Sequence, residues 1–268
     1  MEHYIKVEKN VSLFVNDIGR GTPILCIHGW PVNHKMYEYQ MNEIPKKGFR
    51  FIGVDLRGFG KSSHPWEGYT YDRMADDIRK VVDALKLKKF ILAGFSMGGA
   101  VAIRYMARHK SHRVSKLMLF GAAAPSFVQR PGYSYGKTRE EVNVLIKSVQ
   151  TNRPKALEDF GKLFFYKKVD PSFSLWFQSL EWEASSYGTI FSLEALRDED
   201  LRKDFTSITV PTAIFHGVLD KICPFEFAKE MNKAIKGSTL VPFEKSGHGL
   251  FFDELEKFNR ELFLFLRA

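Results

Sequence analysis

Cysteine is scarce: two occur in 268 residues, too few for a disulfide framework, and neither Cys26 in an apolar run nor Cys223 beside Pro224 falls in a zinc-ligand spacing. Both read as small packed residues, so no metal site and no redox role are expected. Long hydrophobic runs are missing too, and no apolar stretch reaches the roughly 20 residues needed to cross a bilayer. The opening residues, Met1-Glu2-His3-Tyr4, lack a basic region followed by a long apolar one. The expectation is a soluble cytoplasmic protein with no membrane partner. Internal repeats and low-complexity tracts are also absent. A net charge of +9, from 40 Lys and Arg against 31 Asp and Glu, favours acidic partners only if the cations converge on one face. Lys86-Leu87-Lys88-Lys89 and the group Arg104, Arg108, His109 and Lys110 read instead as solvated helix ends, so no nucleic-acid contact is expected.

What is present suits one large α/β domain, since 44% hydrophobic residues are ample for a buried core at this length. Tyr4-Ile5-Lys6-Val7 and Val11 to Val15 alternate apolar and polar residues, as half-exposed antiparallel strands do. Continuous apolar runs follow at Pro23–Ile27, Phe49–Asp55, Phe90–Ala93 and Val114–Phe120, then at Val210–Phe215 and Ser238–Phe243. Between them lie helical patterns, over Tyr71–Leu85 with Met74, Ile78, Val81, Val82 and Leu85 on one face, over Gly99–Arg108, over Pro224–Lys236 and over Leu255–Leu266. Strands that alternate with helices predict an eight-stranded, mostly parallel sheet covered on both faces. Residues 125–207 differ: rich in Phe, Tyr, Trp and charge, they hold helical patches at Arg139–Val149 and Pro154–Phe164 but no buried strand run. They read as a helical cap inserted after the sixth strand, dividing the core into residues 1–124 and 208–268, and lying over the sheet edge where open α/β sheets bind ligands.

The chemistry centres on Gly94-Phe95-Ser96-Met97-Gly98, set between a strand and a helix. That context makes it a nucleophile elbow. A tight turn forces the serine into a strained backbone conformation and exposes its hydroxyl above the sheet, while the following amides point toward a developing oxyanion. A serine hydroxyl needs a base, and the base needs an orienting acid. The strand ending at Phe215-His216-Gly217 leads to Asp220, and the strand ending at Val241-Pro242-Phe243 leads to His248. A loop aspartate or histidine alone is an ordinary turn residue. Three at strand ends, in the order Ser96, Asp220, His248, form a candidate triad, with Asp198 and Asp200 as fallback acids. The loop opened by His28-Gly29 can donate a second oxyanion amide, so the candidate donors are the backbone N–H groups of Trp30 and Met97. His28 itself, Asp55 and Arg57 read as structural braces, and Lys61 and Ser62 as turn and helix-start residues.

Taken together, His28-Gly29-Trp30-Pro31, Asp55-Leu56-Arg57-Gly58-Phe59-Gly60-Lys61-Ser62, Gly94-Phe95-Ser96-Met97-Gly98-Gly99, His216-Gly217 leading to Asp220 and Pro224, and Gly247-His248-Gly249-Leu250 resemble the α/β-hydrolase superfamily. Within it the chain resembles the cofactor-free haloperoxidase, perhydrolase and aryl-esterase group. The cap is the part without a match, and Val32-Asn33-His34-Lys35-Met36-Tyr37 lacks a tryptophan that many relatives carry. The resemblance implies an acyl-enzyme route on a small-molecule carboxylic ester, alkyl, aryl or lactone, with no metal or organic cofactor. Hydrogen peroxide replaces water in the perhydrolase relatives. Serine at position 96 sets the chain apart from the epoxide hydrolases and haloalkane dehalogenases of this fold, which use aspartate there. The alternative from another class is a receptor-like binding protein, since fold does not dictate function. Phe95, Phe127, Phe165, Trp176, Trp182 and Phe251 are the candidate walls of an apolar substrate pocket.

Overall fold

A computed structural model describes residues 1–268. Eight strands, β1 (Glu2–Glu8), β2 (Val11–Gly19), β3 (Thr22–Ile27), β4 (Phe49–Val54), β5 (Phe90–Phe95), β6 (Val114–Phe120), β7 (Thr212–Gly217) and β8 (Thr239–Phe243), form one sheet in the order β1-β2-β4-β3-β5-β6-β7-β8. The β1/β2 and β2/β4 pairs are antiparallel and the rest parallel. Nine α-helices accompany it: α1 (Glu38–Glu43), α2 (Tyr71–Ala84), α3 (Met97–Arg108), α4 (Arg139–Gly161), α5 (Pro171–Trp182), α6 (Ser186–Asp198), α7 (Phe225–Ala234), α8 (Leu250–Asp253) and α9 (Leu255–Arg267).

The central strands carry apolar runs because both faces are covered, and every residue of β5 is buried. On α2, Met74, Ala75, Ile78, Val81 and Val82 are buried, the stripe that its periodicity predicts; Phe258, Leu262 and Leu266 do the same for α9 at i, i+4 and i+8. Strand β2 departs from the half-exposed expectation. It runs on to Gly19 and is largely buried, because β1 and β4 flank it and the loop after β4 folds back on it: Ser62 Oγ accepts from Phe14 N at 2.8 Å, and Lys61 Nζ lies 4.6 Å from the Phe14 ring centre. Lys61 and Ser62 therefore serve a turn, while the next helix begins only at Tyr71, capped by Thr70.

All three helices between β6 and β7 follow a capping side chain. Thr138 and Glu141 cap α4 reciprocally, Asp170 caps α5, and Ser185 caps α6. A break at Asn152 (φ −150°, ψ 78°) divides α4 into two pieces: Asn152 Oδ1 accepts from Lys155 N at 3.2 Å and caps the second, and Pro154 in its first turn has no N–H to continue the first ladder. The second piece stops at Gly161, short of the expected Phe164. The cations of α3 are paired within the fold: Arg104 meets Asp72, Glu199 and Asp204, and Arg108 meets Asp72 and Asp76.

Candidate active site

Sheet order decides where the site lies. From β3 the chain goes to β4 on one side and β5 on the other, and Ile27 pairs with Gly94 across β3 and β5. The carboxyl ends of these two strands flank the point where strand order reverses, the place where open α/β sheets leave a crevice. The loop from His28 to Pro31 leaves one end and Ser96 leaves the other.

Ser96 has φ 53° and ψ −119°, a conformation strained for an L-residue. Its surroundings enforce the turn, since Ser96 N donates to Phe120 O at 2.9 Å and Ser96 O accepts from Gly99, Ala100 and Ala123. Only glycine fits on either side: a Cβ at Gly94 would lie 2.4 Å from Gly98 O, and one at Gly98 would lie 2.3 Å from His28 O. Helix α3 then starts at Met97, whose amide is among the unbonded first-turn donors.

The opposite donor loop is set by His28. This buried imidazole accepts from Leu56 N at Nε2 (2.9 Å), so Nδ1 carries the proton and donates to Gly29 O (2.8 Å). Burial holds its pKa down at about 4, so the ring is neutral. The Gly29-Trp30 peptide is planar, so anchoring its carbonyl on one side aims the Trp30 N–H to the other. That amide has no acceptor in the protein. The Trp30 indole reaches the helices beyond β6, donating from Nε1 to Thr189 O at 3.0 Å and packing edge-on against Phe160 at 4.7 Å. A Cβ at Gly29 would lie 2.8 Å from Ser96 Cβ, so the two loops touch.

Asp220 and His248 meet below. Asp220 Oδ1 accepts from Ile222 N (2.8 Å) and Cys223 N (2.9 Å), and Oδ2 takes His248 Nδ1 at 2.7 Å. Both side chains are fully buried. His216, also buried, donates from Nε2 to Cys223 O (2.8 Å) and braces the same turn; burial lowers its pKa and keeps it neutral. Asp253 fixes the other loop, accepting from Gly247 N at 2.8 Å and from Tyr166 N at 2.9 Å, and burial raises its pKa. His248 Nε2 is left buried without a hydrogen-bond partner. Such unclosed contacts are common in ligand-free sites and tighten when substrate binds. The buried Cys223 thiol sits against the Ser96 side chain, and burial pushes its pKa well up.

Two phenyl rings touch the imidazole, and a third backs one of them. Phe95 lies 4.7 Å from His248, Phe251 packs edge-on against Phe95 at 5.3 Å, and Phe164 meets His248 edge-on at 5.0 Å. Phe95 and Phe251 were expected here; Phe164 was not. Its signal was the spacing Phe160/Phe164, hidden by the helix stop at Gly161 between them. Phe165 turns away into a separate cavity, walled also by Phe177, that contains neither Ser96 nor His248. Trp176 packs on Phe173 and Phe177, outside the rings that touch His248. Phe127 is buried in the loop after β6 without aromatic contact to the site. Trp182 is corrected outright: at the end of α5 it is 43% exposed and cannot wall a desolvated pocket. Asp55 and Arg57 act as braces. Asp55 accepts from His34 N, His34 Nδ1 and Lys61 N, and although burial works to raise its pKa, the bond to His34 and its charge carry the balance below the usual range. Arg57 is bidentate to Asp77.

An elbow serine after β5, an acid after β7, a histidine after β8 and a donor loop after β3 define an α/β hydrolase. Residues 22–255 match the α/β hydrolase fold family, and the chain belongs to it. A protein of the AB hydrolase superfamily from Bacillus subtilis (strain 168) is 61% identical over 259 residues, covering 97% of each chain. An esterase from Exiguobacterium antarcticum superposes with a TM-score of 0.98 at 49% identity, and a bromoperoxidase from Bacillus anthracis with 0.96 at 33% identity, each over the full length of both chains.

Proposed function

We infer that Ser96, His248 and Asp220 are the nucleophile, general base and orienting acid of a carboxylic ester hydrolase acting on small to medium esters. The observation that carries this reading is the 2.7 Å contact between Asp220 Oδ2 and His248 Nδ1, with the far nitrogen Nε2 buried and unpartnered. Holding the proton at Nδ1 leaves the Nε2 lone pair free to receive one. His248 takes the Ser96 proton as Oγ attacks the ester carbonyl, and the Trp30 and Met97 amides receive the oxyanion. Collapse expels the alcohol, protonated by His248. Water, deprotonated by the same nitrogen, then attacks the acyl-enzyme and releases the acid. Asp220 stabilises the imidazolium at both stages. Rings against His248 favour a small apolar acyl group and exclude bulk water, while the helices between β6 and β7 act as the cap, tied to the donor loop through Trp30.

The test is intact-mass analysis after incubation with a fluorophosphonate, with peptide mapping, alongside p-nitrophenyl acetate turnover. A single adduct on Ser96, and loss of turnover by several orders of magnitude in Ser96→Ala, are expected. Equal turnover in Ser96→Ala overturns the assignment. The likeness to a bromoperoxidase favours a second activity, in which hydrogen peroxide attacks the acyl-enzyme in place of water and leaves as a peracid. In a mixture of acetate, hydrogen peroxide and bromide, the released peracetic acid oxidises bromide to hypobromous acid and is itself reduced to acetic acid, so bromination of monochlorodimedone, abolished by Ser96→Ala, reads it out.

A further inference from the structure

The inserted helices hold a second cavity, of about 630 Å³, between the end of α4, the connection to α5, and α5 itself. Its lining includes Gly161, Phe165, Lys168, Phe177 and Glu181, and none of Ser96, Asp220 and His248. Glu181 is fully buried on the apolar face of α5, four residues after Phe177 and beside Leu180. Neither carboxyl oxygen has a hydrogen-bond partner, and burial alone pushes its pKa up to about 8. A leucine there would complete the apolar stripe, so an acid with both oxygens bare calls for a partner that the fold itself does not provide. The carboxyl faces Gly161 on the cavity wall, where a methyl would sit 3.4 Å from Oε1.

The rim has the opposite charge. Lys162 is engaged by Glu158 and Asp159, and Lys167 Nζ bonds the Asp253 carbonyl, but Lys168 has no partner. Between rim and floor stand the rings of Phe165 and Phe177, 5.1 Å apart. We propose that this cavity is a ligand site for a small amino acid-like molecule, with a primary amine on Glu181, an apolar spacer against Phe165 and Phe177, and a carboxylate at Lys168. An ammonium group brought against Glu181 favours its ionised form, so the complex is an ion pair in a desolvated pocket, and the carboxyl gives up its proton on binding. The size lies within the range of small-molecule pockets.

The probes are the ω-amino acids β-alanine, γ-aminobutyrate and ε-aminocaproate, titrated calorimetrically at pH near 7 in two buffers of different ionisation heat, with n-hexylamine and hexanoate as single-ended controls. One ω-amino acid is expected to bind at least about tenfold more tightly than either control, a difference of about 1.4 kcal/mol, with proton release to the buffer. Glu181→Gln should weaken it tenfold or more and abolish the proton release, Lys168→Ala should weaken it several-fold, and both should keep wild-type turnover of p-nitrophenyl acetate. Gly161→Ala provides a variant independent of the folding of Glu181→Gln: its methyl occupies the space before the carboxyl and should weaken binding without lowering the thermal midpoint. No binding by any of the three, controls that bind equally well, or undiminished binding in Glu181→Gln or Gly161→Ala overturns the proposal. Ester turnover is read separately, so the site and the triad fail or stand independently.

Discussion

Replacing Asp220 with asparagine puts the histidine's proton to the test. The two backbone donors, Ile222 N and Cys223 N, converge on Oδ1 at 2.8 and 2.9 Å. They select which end of an amide can sit there, because only its oxygen accepts. The amide NH2 is then forced into the Oδ2 position, 2.7 Å from His248 Nδ1, and donor faces donor unless the imidazole changes tautomer. With the proton moved to Nε2, His248 cannot accept from Ser96. The expected loss in kcat for p-nitrophenyl acetate is about 10⁴-fold, equivalent to about 5.5 kcal/mol in the barrier. Because the loop bonds survive, the thermal midpoint should move little. Steady-state kinetics and a thermal melt on the same preparation check both halves. A loss below tenfold with an unchanged melt would refute the tautomer argument.

Gly29→Ala places a methyl 2.8 Å from Ser96 Cβ and must push the donor loop outward; kcat should fall toward the 10²- to 10³-fold that one oxyanion donor is worth, with KM nearly unchanged, and equal falls in both parameters would argue against it. Phe164→Ala removes a fully buried ring against His248 and should cost about 3–5 kcal/mol in chemical denaturation. Phe164→Leu, milder in volume, should raise the ratio of p-nitrophenyl butyrate to acetate turnover, and an unchanged ratio would remove Phe164 from the acyl wall. Glu181 makes stability pH-dependent: its folded pKa of about 8 lies above the ordinary 4.5, so the folded state holds the proton more tightly. Its contribution is complete below about pH 4.5 and declines as pH rises to about 8, by a few kcal/mol, after which it is flat. Denaturant titrations of Glu181→Gln should lack that decline, and parallel pH profiles for the two proteins would contradict it.

Much of the site was legible before any coordinates. An elbow between strand and helix is a local pattern, since Gly94 is demanded by the Gly98 carbonyl four residues on, although Gly98 is demanded by the distant His28 and Ile27 carbonyls, and the strand ends that lead to Asp220 and His248 show as continuous apolar runs followed by turn residues. The aromatic wall was only half legible. Phe95 and Phe251 flank motif residues, so their place follows from the motif, whereas Phe164 and Phe165 are neighbours whose roles depend on which way the chain turns after Gly161. Trp182, apolar by type, lies on the solvent side of α5 because Phe177, Leu180 and Glu181 take its buried face.

By itself the sequence determined the alternation of strand and helix, the elbow, and the chain order of Ser96, Asp220 and His248, because each rests on periodicity, turn chemistry or near neighbours. Tertiary structure alone decided that His28 aims the Trp30 amide, that Trp30 ties its loop to Thr189 across 159 positions, and that Glu181 is buried without a partner. These depend on packing between segments far apart in the chain, where side-chain direction and burial are set by the whole sheet and its covering helices.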